Sequence, residues 1–297
     1  MVGKNLLEHP RFQNFELLLP PRCELDLLEA LEVSNYLQVN KPDMVVHCAG
    51  TVGGIQANIK EPLRFFQDNL DMGRNIVQGA YQAGLKRFIN FGSSCMYPKN
   101  GKNPLKEESI LQGELEPTNE GYALSKIAIS KMCEYITATN SGFQYKTFIP
   151  CNLYGRWDHF ELERSHMVPA SIRKIHEAKQ KNQKSVVIWG DGMARREFMY
   201  CGDIADFTVA AIENFDQIPN LLNIGLGKDY TINEYYEAIG KVIGYQGEFT
   251  HDLTKPAGMR QKMVDTSRQK IFGWSPKTEL IAGIKKTYEF FLDNIAE

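Results

Sequence analysis

The first two-thirds of the chain alternate short apolar segments with longer amphipathic ones, and this alternation limits the fold more than any other feature. Strands are predicted where β-branched and aromatic residues cluster between polar segments, at 16–19, 44–48, 87–91 and 145–149. Helices are predicted at 62–83 and 120–137, where apolar residues recur about once per helical turn. Strands that alternate with helices form parallel sheets with helical crossovers. The chain is therefore expected to adopt an α/β fold with a Rossmann-like, doubly wound parallel sheet.

After residue 152 the pattern is less regular, and the sequence predicts a smaller C-terminal domain there. Helices are predicted at 167–180, at 203–214 with Asp203 as the cap, at 232–243 and at 280–294, and strands at 186–189 and 221–224. We assign residues 1–153 to a dinucleotide-binding domain, to which 203–226 returns, and residues 154–297 mainly to a substrate-binding domain. The sequence shows no repeat and no Pro/Gly/Ser-rich linker, so two lobes that share one interface are expected.

Charge and cysteine usage argue against several classes of function. The 297-residue chain has a formal net charge of -2, which gives no general attraction to nucleic acid or to an anionic membrane. No apolar run approaches the roughly 20 residues that span a bilayer, and no signal-peptide pattern is seen, so a cytoplasmic enzyme is expected. The six cysteines are scattered without a CxxC pair or a nearby histidine, which predicts reduced thiols, no disulfide framework and no metal site.

Tyr122 and Lys126 lie four residues apart on the predicted helix 120–137, so the phenol and the ammonium share one helix face. An ammonium beside a tyrosine favours the phenolate, which is expected to bring the pKa of Tyr122 from about 10 towards neutrality and make the phenol a usable acid or base. Such a pair also occurs by chance on many amphipathic helices. Here it follows Ser93 and Cys95 at a predicted strand end, where open α/β folds bind ligands, and this context favours function.

Further stretches match one family in order along almost the whole chain. They are Val52-Gly53-Gly54-Ile55, GSSCMYP from Gly92, EPTNEGYALSK from Glu116, Pro150-Cys151-Asn152-Leu153-Tyr154-Gly155, Ser165-His166, Trp189-Gly190 and Arg196-Glu197-Phe198. On these residues the chain resembles the extended short-chain dehydrogenase/reductases, and within them the GDP-L-fucose synthase branch. GSSCMYP together with EPTNEGYALSK is specific to this branch, whereas YxxxK alone identifies only the superfamily.

The resemblance implies roles for the chemical groups. Ser93, Tyr122 and Lys126 form the reductive triad, with Lys126 also touching the nicotinamide ribose, and Cys95 and His166 are the base and acid of an epimerisation. A 4-keto group acidifies the protons at C3 and C5, so a thiolate on one face and an imidazole on the other can invert those centres through an enolate. Without the resemblance, Cys95 would more often be a small buried apolar residue and His166 a surface or capping residue.

The resemblance also implies two binding sites. The NADP(H) site is formed by Gly3, Arg22, Ala49, Gly50, Asn69, Phe91, Gly92, Ser94, Lys126, Pro150, Asn152, Leu153 and His166. The GDP-4-keto-6-deoxy sugar is contacted by Lys174, Trp189, Arg196 and Asp265. The two basic residues suit the diphosphate, the indole suits the nucleotide, and the aspartate suits a sugar hydroxyl. The alternatives are that Trp189 belongs to the core and that Asp265 caps a helix.

The chain departs from the family pattern in three places. It begins at the step Met1-Val2-Gly3, so the first strand and the earlier glycines of the dinucleotide fingerprint are missing, and we hypothesise that the natural start lies about 15 residues upstream. Pro20 stands where the family has an arginine, and the remaining Arg22 favours NADP(H) without excluding NAD(H). The segment 258–262 keeps only the glycine and the lysine of the family, which allows a different sugar, for example a GDP-4-keto-6-deoxyheptose.

The expected function is conversion of GDP-4-keto-6-deoxy-D-mannose to GDP-L-fucose, by epimerisation at C3 and C5 and then reduction at C4 with NADPH. One alternative is a C4 reductase in which Cys95 and His166 are idle. A second is a non-catalytic NADP-binding sensor, although an intact Ser93, Tyr122 and Lys126 argues against it. A homodimer through the helices 62–83 and 120–137 is implied by the family, but a helix that covers a sheet has the same apolar face.

Overall fold

The computed structural model describes residues 1–162, 164–255 and 259–296, and its largest sheet has four parallel strands. They are β1 (Met44–His47), β2 (Arg87–Phe91), β3 (Gln144–Pro150) and β8 (Leu221–Ile224), in the spatial order β1-β2-β3-β8. The register pairs Val45 with Phe88 and Phe88 with Tyr145, so the carboxyl ends of the strands meet at one edge of the sheet. Parallel strands of this kind need crossover connections. The predicted α/β class with a parallel sheet is confirmed.

Helices cover both faces of this sheet. In the described residues they are α1 (Val2–Leu7), α2 (Ala30–Asn40), α3 (Ile55–Lys60), α4 (Pro62–Gln82), α5 (Glu120–Thr139), α6 (Met167–Gln180), α7 (Cys201–Glu213), α8 (Ile232–Ile243), α9 (Ser267–Ile271) and α10 (Leu280–Asn294). Neighbouring side chains of β2 belong to opposite layers, because Phe88 shares a buried cluster with Val33 and Val77, whereas Ile89 shares another with Phe207. Both faces are therefore apolar, as in doubly wound sheets. Across the described ranges, no helix combines the length and the apolar character needed to cross a bilayer.

The remaining strands form three small sheets. They are β4 (Asn152–Tyr154), β5 (Ser185–Trp189), β6 (Arg195–Arg196), β7 (Phe198–Tyr200), β9 (Tyr230–Thr231), β10 (Glu248–Asp252) and β11 (Gln261–Lys262). β4 pairs with β7, β10 pairs with β5, and β6 lies between β11 and β9. The parallel pairing of β11 with β6 places Lys262 beside Arg196. Residues that are far apart in the sequence are thus brought next to each other.

Most of the predicted elements are confirmed, and five of them have the predicted bounds, at 87–91, 167–180, 221–224, 232–243 and 280–294. The strand predicted at 16–19 is wrong, since this segment is irregular and its Leu18 and Leu19 are exposed. An extended segment becomes a strand only where a neighbouring backbone completes its hydrogen bonds. In the described part of the chain, no strand pairs with it.

The predicted cap of the 203–214 helix is also wrong. α7 begins at Cys201, so Asp203 lies inside its first turn. The Asp203 carboxylate instead accepts hydrogen bonds from the backbone N–H and the hydroxyl of Thr278, at 3.0 and 2.9 Å. This aspartate therefore fastens the segment before α10 to the start of α7.

Candidate active site

Ser93 and Tyr122 meet at the carboxyl end of β2. β2 ends at Phe91, and Ser93 begins a short 3-10 turn in which its hydroxyl accepts the Cys95 N–H at 3.2 Å. α5 begins at Glu120, so Tyr122 lies in the first turn of that helix. The Ser93 hydroxyl lies near enough to the Tyr122 phenol to lower its pKa. The structure thus brings together the two hydroxyl groups that the sequence predicted to share a site.

Lys126 lies one turn further along α5, buried at 8% exposure. Its Nζ donates a hydrogen bond to the Phe91 carbonyl at 3.0 Å and lies 5.8 Å from the centroid of the Tyr122 ring. Burial lowers the pKa of Lys126 to about 8. At neutral pH the side chain is therefore still an ammonium.

The predicted shift of the tyrosine pKa towards neutrality is wrong. Burial raises the pKa of Tyr122 well above its ordinary value, the charge of Cys95 raises it further, and the nearby Ser93 hydroxyl lowers it only in part. Desolvation is the largest cause of the shift, and the Lys126 ammonium is directed to the Phe91 carbonyl. The phenol is consequently protonated at neutral pH and suited to donate a proton.

The carboxyl end of β1 forms a cradle next to Lys126. Gly50 follows β1, and a Cβ at this position would stand 3.0 Å from Asn69 Oδ1 and 3.8 Å from Lys126 Nζ. The Asn69 amide fixes the turn by accepting the Thr51 N–H at 3.0 Å and donating to the Thr51 carbonyl at 2.9 Å. Among the described residues, Lys126 Nζ has one hydrogen-bond acceptor, which leaves two N–H groups for a ligand. An ammonium with free donors beside a strand-end glycine fits the hydroxyls of a cofactor ribose.

The other residues predicted for the dinucleotide differ in exposure. Phe91, Gly92, Ser94, Pro150 and Leu153 are buried, Gly3 and Asn152 are half-buried, and Ala49 and Gly50 are exposed. Asn152 Nδ2 donates to the Glu197 carbonyl at 3.1 Å. Arg22 lies on the surface in an ion pair with Asp26 at 3.0 Å, and its contact with a 2′-phosphate stays a prediction.

Two donors converge on the thiol of Cys95. Asn119 Nδ2 lies 3.2 Å from Cys95 Sγ, and Lys262 Nζ lies 3.4 Å from it. Neither donor was assigned to the site from the sequence. Lys262 could have been found because it is the lysine that the segment 258–262 shares with the family, whereas Asn119 belongs to the motif before Tyr122. Gly258, the other shared residue, lies outside the described residues.

His166 stands directly before α6, at its N-cap position. A Cβ on Gly54 would approach the Ser165 carbonyl to 2.5 Å, and the Gly54 N–H donates to the Arg164 carbonyl at 2.9 Å, so a glycine is required for this close packing. Burial and then the positive charge of Lys262 lower the pKa of His166, followed by the effect of His159. A neutral imidazole is thus favoured, with one donor nitrogen and one acceptor nitrogen.

The residues predicted for the substrate occupy different environments. Lys174 Nζ donates to the Val187 carbonyl, and burial lowers its pKa. Trp189 is 44% exposed at the end of β5, so it does not belong to the core. Asp265 Oδ1 accepts the Ser267 N–H at 2.9 Å, from a position one residue before Thr266, the N-cap of α9.

Arg196 lies in β6, beside Lys262 of β11. Its Nη1 donates to the Arg195 carbonyl at 2.8 Å. Burial lowers the pKa of Arg196, while the negative charges of Glu116 and Cys95 raise it. Two cations, Arg196 and Lys262, therefore lie near the same thiol.

Comparison with known proteins identifies the family of this chain. Residues 2–225 match the NAD dependent epimerase/dehydratase family. The chain belongs to this family. Its membership confirms the predicted extended short-chain dehydrogenase/reductase, and several relatives are GDP-L-fucose synthases.

Three similar proteins show the range of this family. The GDP-L-colitose synthase of Yersinia pseudotuberculosis is 51% identical, over 99% of this chain and 95% of the relative. The GDP-L-fucose synthase of Azorhizobium caulinodans is 46% identical, over 98% of this chain and 93% of the relative. A solved GDP-mannoheptose C4 reductase of Campylobacter jejuni with NADP bound has a TM-score of 0.87 and 32% identity, covering 98% of this chain and 95% of that one.

Proposed function

We propose that this family member is an NADP(H)-dependent epimerase-reductase that converts GDP-4-keto-6-deoxy-D-mannose to GDP-L-fucose. The proposal rests most on the turn after β2, where the Ser93 hydroxyl accepts the Cys95 N–H at 3.2 Å, because this turn puts a thiol that can act as a base for carbon acids beside the hydroxyl that faces the Tyr122 proton donor. The relatives named GDP-L-fucose synthase support this choice of sugar. The fit of the β1 strand end to a ribose and the NADP-bound relative support the cofactor.

Epimerisation is proposed to use Cys95 and His166 on opposite faces of the sugar. The Cys95 thiolate removes the proton from C3 or C5, and the electron pair of the C–H bond moves into the ketone to give an enolate. The imidazolium form of His166 then delivers a proton to the opposite face of the same carbon and becomes the neutral imidazole, and the electrons of the enolate return to form the new C–H bond. The imidazole regains a proton from solvent and the thiol loses one, so the site is restored.

Reduction at C4 is proposed to use Ser93, Tyr122 and Lys126. The bound dinucleotide supplies the hydride. The Ser93 hydroxyl holds the ketone oxygen, and the Tyr122 phenol gives that oxygen its proton. The nearby Lys126 ammonium stabilises the phenolate that is left. Burial of Tyr122 keeps the proton in place until the ketone oxygen becomes strongly basic.

The diphosphate and the base of GDP are proposed to contact Lys174, Arg196 and Trp189. An exposed indole at a strand end offers a flat surface to a purine, and a half-buried guanidinium offers charge to phosphate. The β8 strand joins the main sheet, which supports a dinucleotide domain of residues 1–153 to which 203–226 returns. Exposed apolar residues on α4 and α5, among them Leu63 and Tyr135, support a homodimer through these helices.

Incubation with GDP-4-keto-6-deoxy-D-mannose and NADPH in deuterated water tests the proposed function. GDP-L-fucose with deuterium at C3 and C5 is the expected product. A product reduced at C4 without deuterium at either carbon would replace this function with simple C4 reduction. Cys95→Ser is expected to abolish most deuterium uptake while leaving the reduction of an already epimerised ketone intact.

A second candidate product is GDP-L-colitose, which the 51% identity to a GDP-L-colitose synthase favours. L-Colitose is L-fucose without the 3-hydroxyl, so the same C5 inversion and C4 reduction would produce it. Competition between GDP-4-keto-6-deoxy-D-mannose and its 3-deoxy analogue separates the two functions. A kcat/KM at least about tenfold higher for the 3-deoxy substrate, which corresponds to about 1.4 kcal/mol, would select colitose.

A further inference from the structure

Lys262 presents a buried positive charge without an acidic partner. Its side chain is 8% exposed. Over residues 1–162, 164–255 and 259–296, no carboxylate forms an ion pair with its Nζ within 4.0 Å. Burying an ammonium is strongly unfavourable unless an opposite charge or several acceptors compensate it. A negative group or several acceptors close to this nitrogen would compensate the burial.

The group that faces Lys262 is the thiol of Cys95. Within the described part of the chain, Lys262 Nζ makes one hydrogen bond, to Cys95 Sγ at 3.4 Å. The same sulfur is also contacted by Asn119, a residue of another segment that lies directly before α5. Its Nδ2 is 3.2 Å from Sγ. A neutral thiol is a weak acceptor, whereas a thiolate accepts strongly, so two converging donors match the charged form of the sulfur.

The backbone on both sides of Lys262 fixes its position. The Lys262 carbonyl accepts the Glu197 N–H at 3.3 Å. On the other side, the Met263 N–H donates to Asn103 Oδ1 at 2.8 Å, and the Met263 carbonyl accepts the Leu105 N–H at 2.8 Å. Because the strand is held from two directions, the ammonium is positioned before any substrate binds.

Other charged or titratable groups face the same sulfur, and they must be weighed with Lys262. Arg196 of β6 and Tyr122 of α5 interact electrostatically with Cys95. His166, before α6, interacts with Lys262, and the lysine charge favours the neutral imidazole. Two cations, a protonated phenol and an amide therefore lie near the thiol, and the carboxylate of Glu116 interacts with Arg196. The donors within hydrogen-bond distance of the sulfur are Lys262 and Asn119.

We infer that Lys262 is the counter-ion that keeps Cys95 as a thiolate in the ligand-free enzyme, with Asn119 as a second, neutral donor to the sulfur. Lys262 acts through Cys95 and is therefore a positioning residue. Only the use of the thiolate, removal of a proton from the sugar, rests on the proposed function. The pairing of ammonium and sulfur can be measured without any sugar or cofactor.

The experiment measures alkylation of the full-length, ligand-free chain by iodoacetamide as a function of pH, with each cysteine resolved by peptide mass spectrometry. Iodoacetamide is uncharged, so its approach does not depend on the positive charge of Lys262. The exposed Cys23 is an internal reference in the same molecule. In the native chain, the pH midpoint for Cys95 is expected to lie at least about one unit below that for Cys23.

Lys262→Met is expected to raise the Cys95 midpoint by at least about one pH unit, and so to reduce alkylation at pH 7 about tenfold. Lys262→Arg keeps the charge and is expected to restore most of the native rate. Lys241→Met, at an exposed position of α8, is the matched control and should leave both midpoints unchanged. The midpoint of Cys23 should be the same in all three variants.

Two results would overturn the inference. One is a Cys95 midpoint at or above that of Cys23 in the native chain, a comparison that needs no variant to fold. The other is a folded Lys262→Met protein with a native Cys95 midpoint but a raised KM for GDP-sugar, which would make Lys262 a ligand of the substrate. If alkylation shifts as expected but no deuterium enters the sugar, the inference holds and the proposed function fails.

Discussion

The reductive and epimerising parts of the site are built in different ways. Ser93, Tyr122 and Lys126 come from one strand end and one helix, and they lie within 126 − 93 = 33 positions of each other. The sulfur of Cys95, in contrast, receives a donor 24 residues away, Asn119, and another 167 residues away, Lys262. The first group depends on regular secondary structure, and the second depends on the tertiary fold.

The two parts also differ in how burial acts on charge. In the reductive group, burial keeps the Tyr122 phenol protonated and brings the pKa of Lys126 down to about 8. In the epimerising group, the buried Lys262 and the half-buried Arg196 lie near the Cys95 sulfur. Loss of one member should therefore disturb the second group by leaving a charge without a partner, whereas in the first group it removes a proton donor.

Tyr122→Phe gives the sharpest separation of the two parts. We expect C4 reduction to fall about 10²–10⁴-fold, because the proton donor is lost, while deuterium uptake at C5 changes by less than about threefold. Mass spectrometry of the sugar and NADPH absorbance measure both in one reaction. Tyr135→Phe, at an exposed position of the same helix, is the control. Equal losses in both reactions would show that the two parts do not function separately.

Glu197→Ala should destabilise the epimerising part of the site, because it removes the acceptor of two backbone N–H groups. The fully buried Glu197 carboxylate accepts the Gly227 and Val264 N–H groups, both at 2.8 Å, and Val264 lies two residues after Lys262. Leaving both donors unpaired is expected to lower the free energy of unfolding by about 2–4 kcal/mol. Urea denaturation measures the loss, and Glu289→Ala on the surface of α10 should change it by less than about 0.5 kcal/mol. If Glu197→Ala lowered the free energy of unfolding by less than about 0.5 kcal/mol, the carboxylate would not be the acceptor that stabilises this backbone.

The pH dependence of C4 reduction should show the ionisation of the Lys126 ammonium. Because burial lowers its pKa to about 8, the ammonium is present below that pH and lost above it. We expect kcat/KM for NADPH to fall about tenfold per pH unit above about pH 8. Lys126→Arg keeps its charge, so its slower reaction should lack this alkaline limb. An unchanged limb in the arginine variant would assign the titration to another group.

The stability of the chain should depend on pH through Glu197. Burial raises the pKa of this carboxyl to about 7, although backbone hydrogen bonds lower it in part. The folded chain thus binds the proton more tightly than the unfolded chain, so this stabilisation is present at low pH and lost as pH rises through about 7. The difference in unfolding free energy between the native chain and Glu197→Ala should be larger at about pH 5 than at about pH 8. The reverse order would show that the carboxylate is stabilised by its donors.

Asp265→Ala is expected to have the smallest effect on catalysis. Its carboxylate is engaged by the Ser267 N–H before α9, so we expect a loss of about 1 kcal/mol in stability and a change in KM below about threefold. Thermal unfolding and initial-rate kinetics measure the two quantities. A tenfold rise in KM with native stability would instead make Asp265 a ligand of the sugar.

The fold was predictable where periodic apolar residues determine an element on their own. α6, α8, α10 and β8 have the bounds that the sequence indicates, since each buries one continuous face or lies in the sheet core. The segment 16–19 has the residues of a strand but no hydrogen-bonding neighbour in the described structure. Short strands such as β6 and β11 contain two residues each, too few to show any period.

The composition of the site was predictable, but its electrostatics were not. The spacing of Tyr122 and Lys126 placed both on one helix face, yet it could not show that Lys126 is directed to a carbonyl of β2. The residues beside Cys95 were missed for a similar reason. The approach of Lys262 is created by the pairing of β11 with β6, and no local pattern in the sequence encodes that pairing.

The distance in sequence between Cys95 and Lys262 also has a consequence for synthesis. Ribosomes make the thiol 167 residues before the ammonium that faces it. Until β11 docks, the sulfur lacks its proposed counter-ion, and a neutral thiol is far less reactive towards oxidants and electrophiles than a thiolate. Late docking of the chain's final segments would thus protect the nucleophile from chemical damage while the protein is still being made.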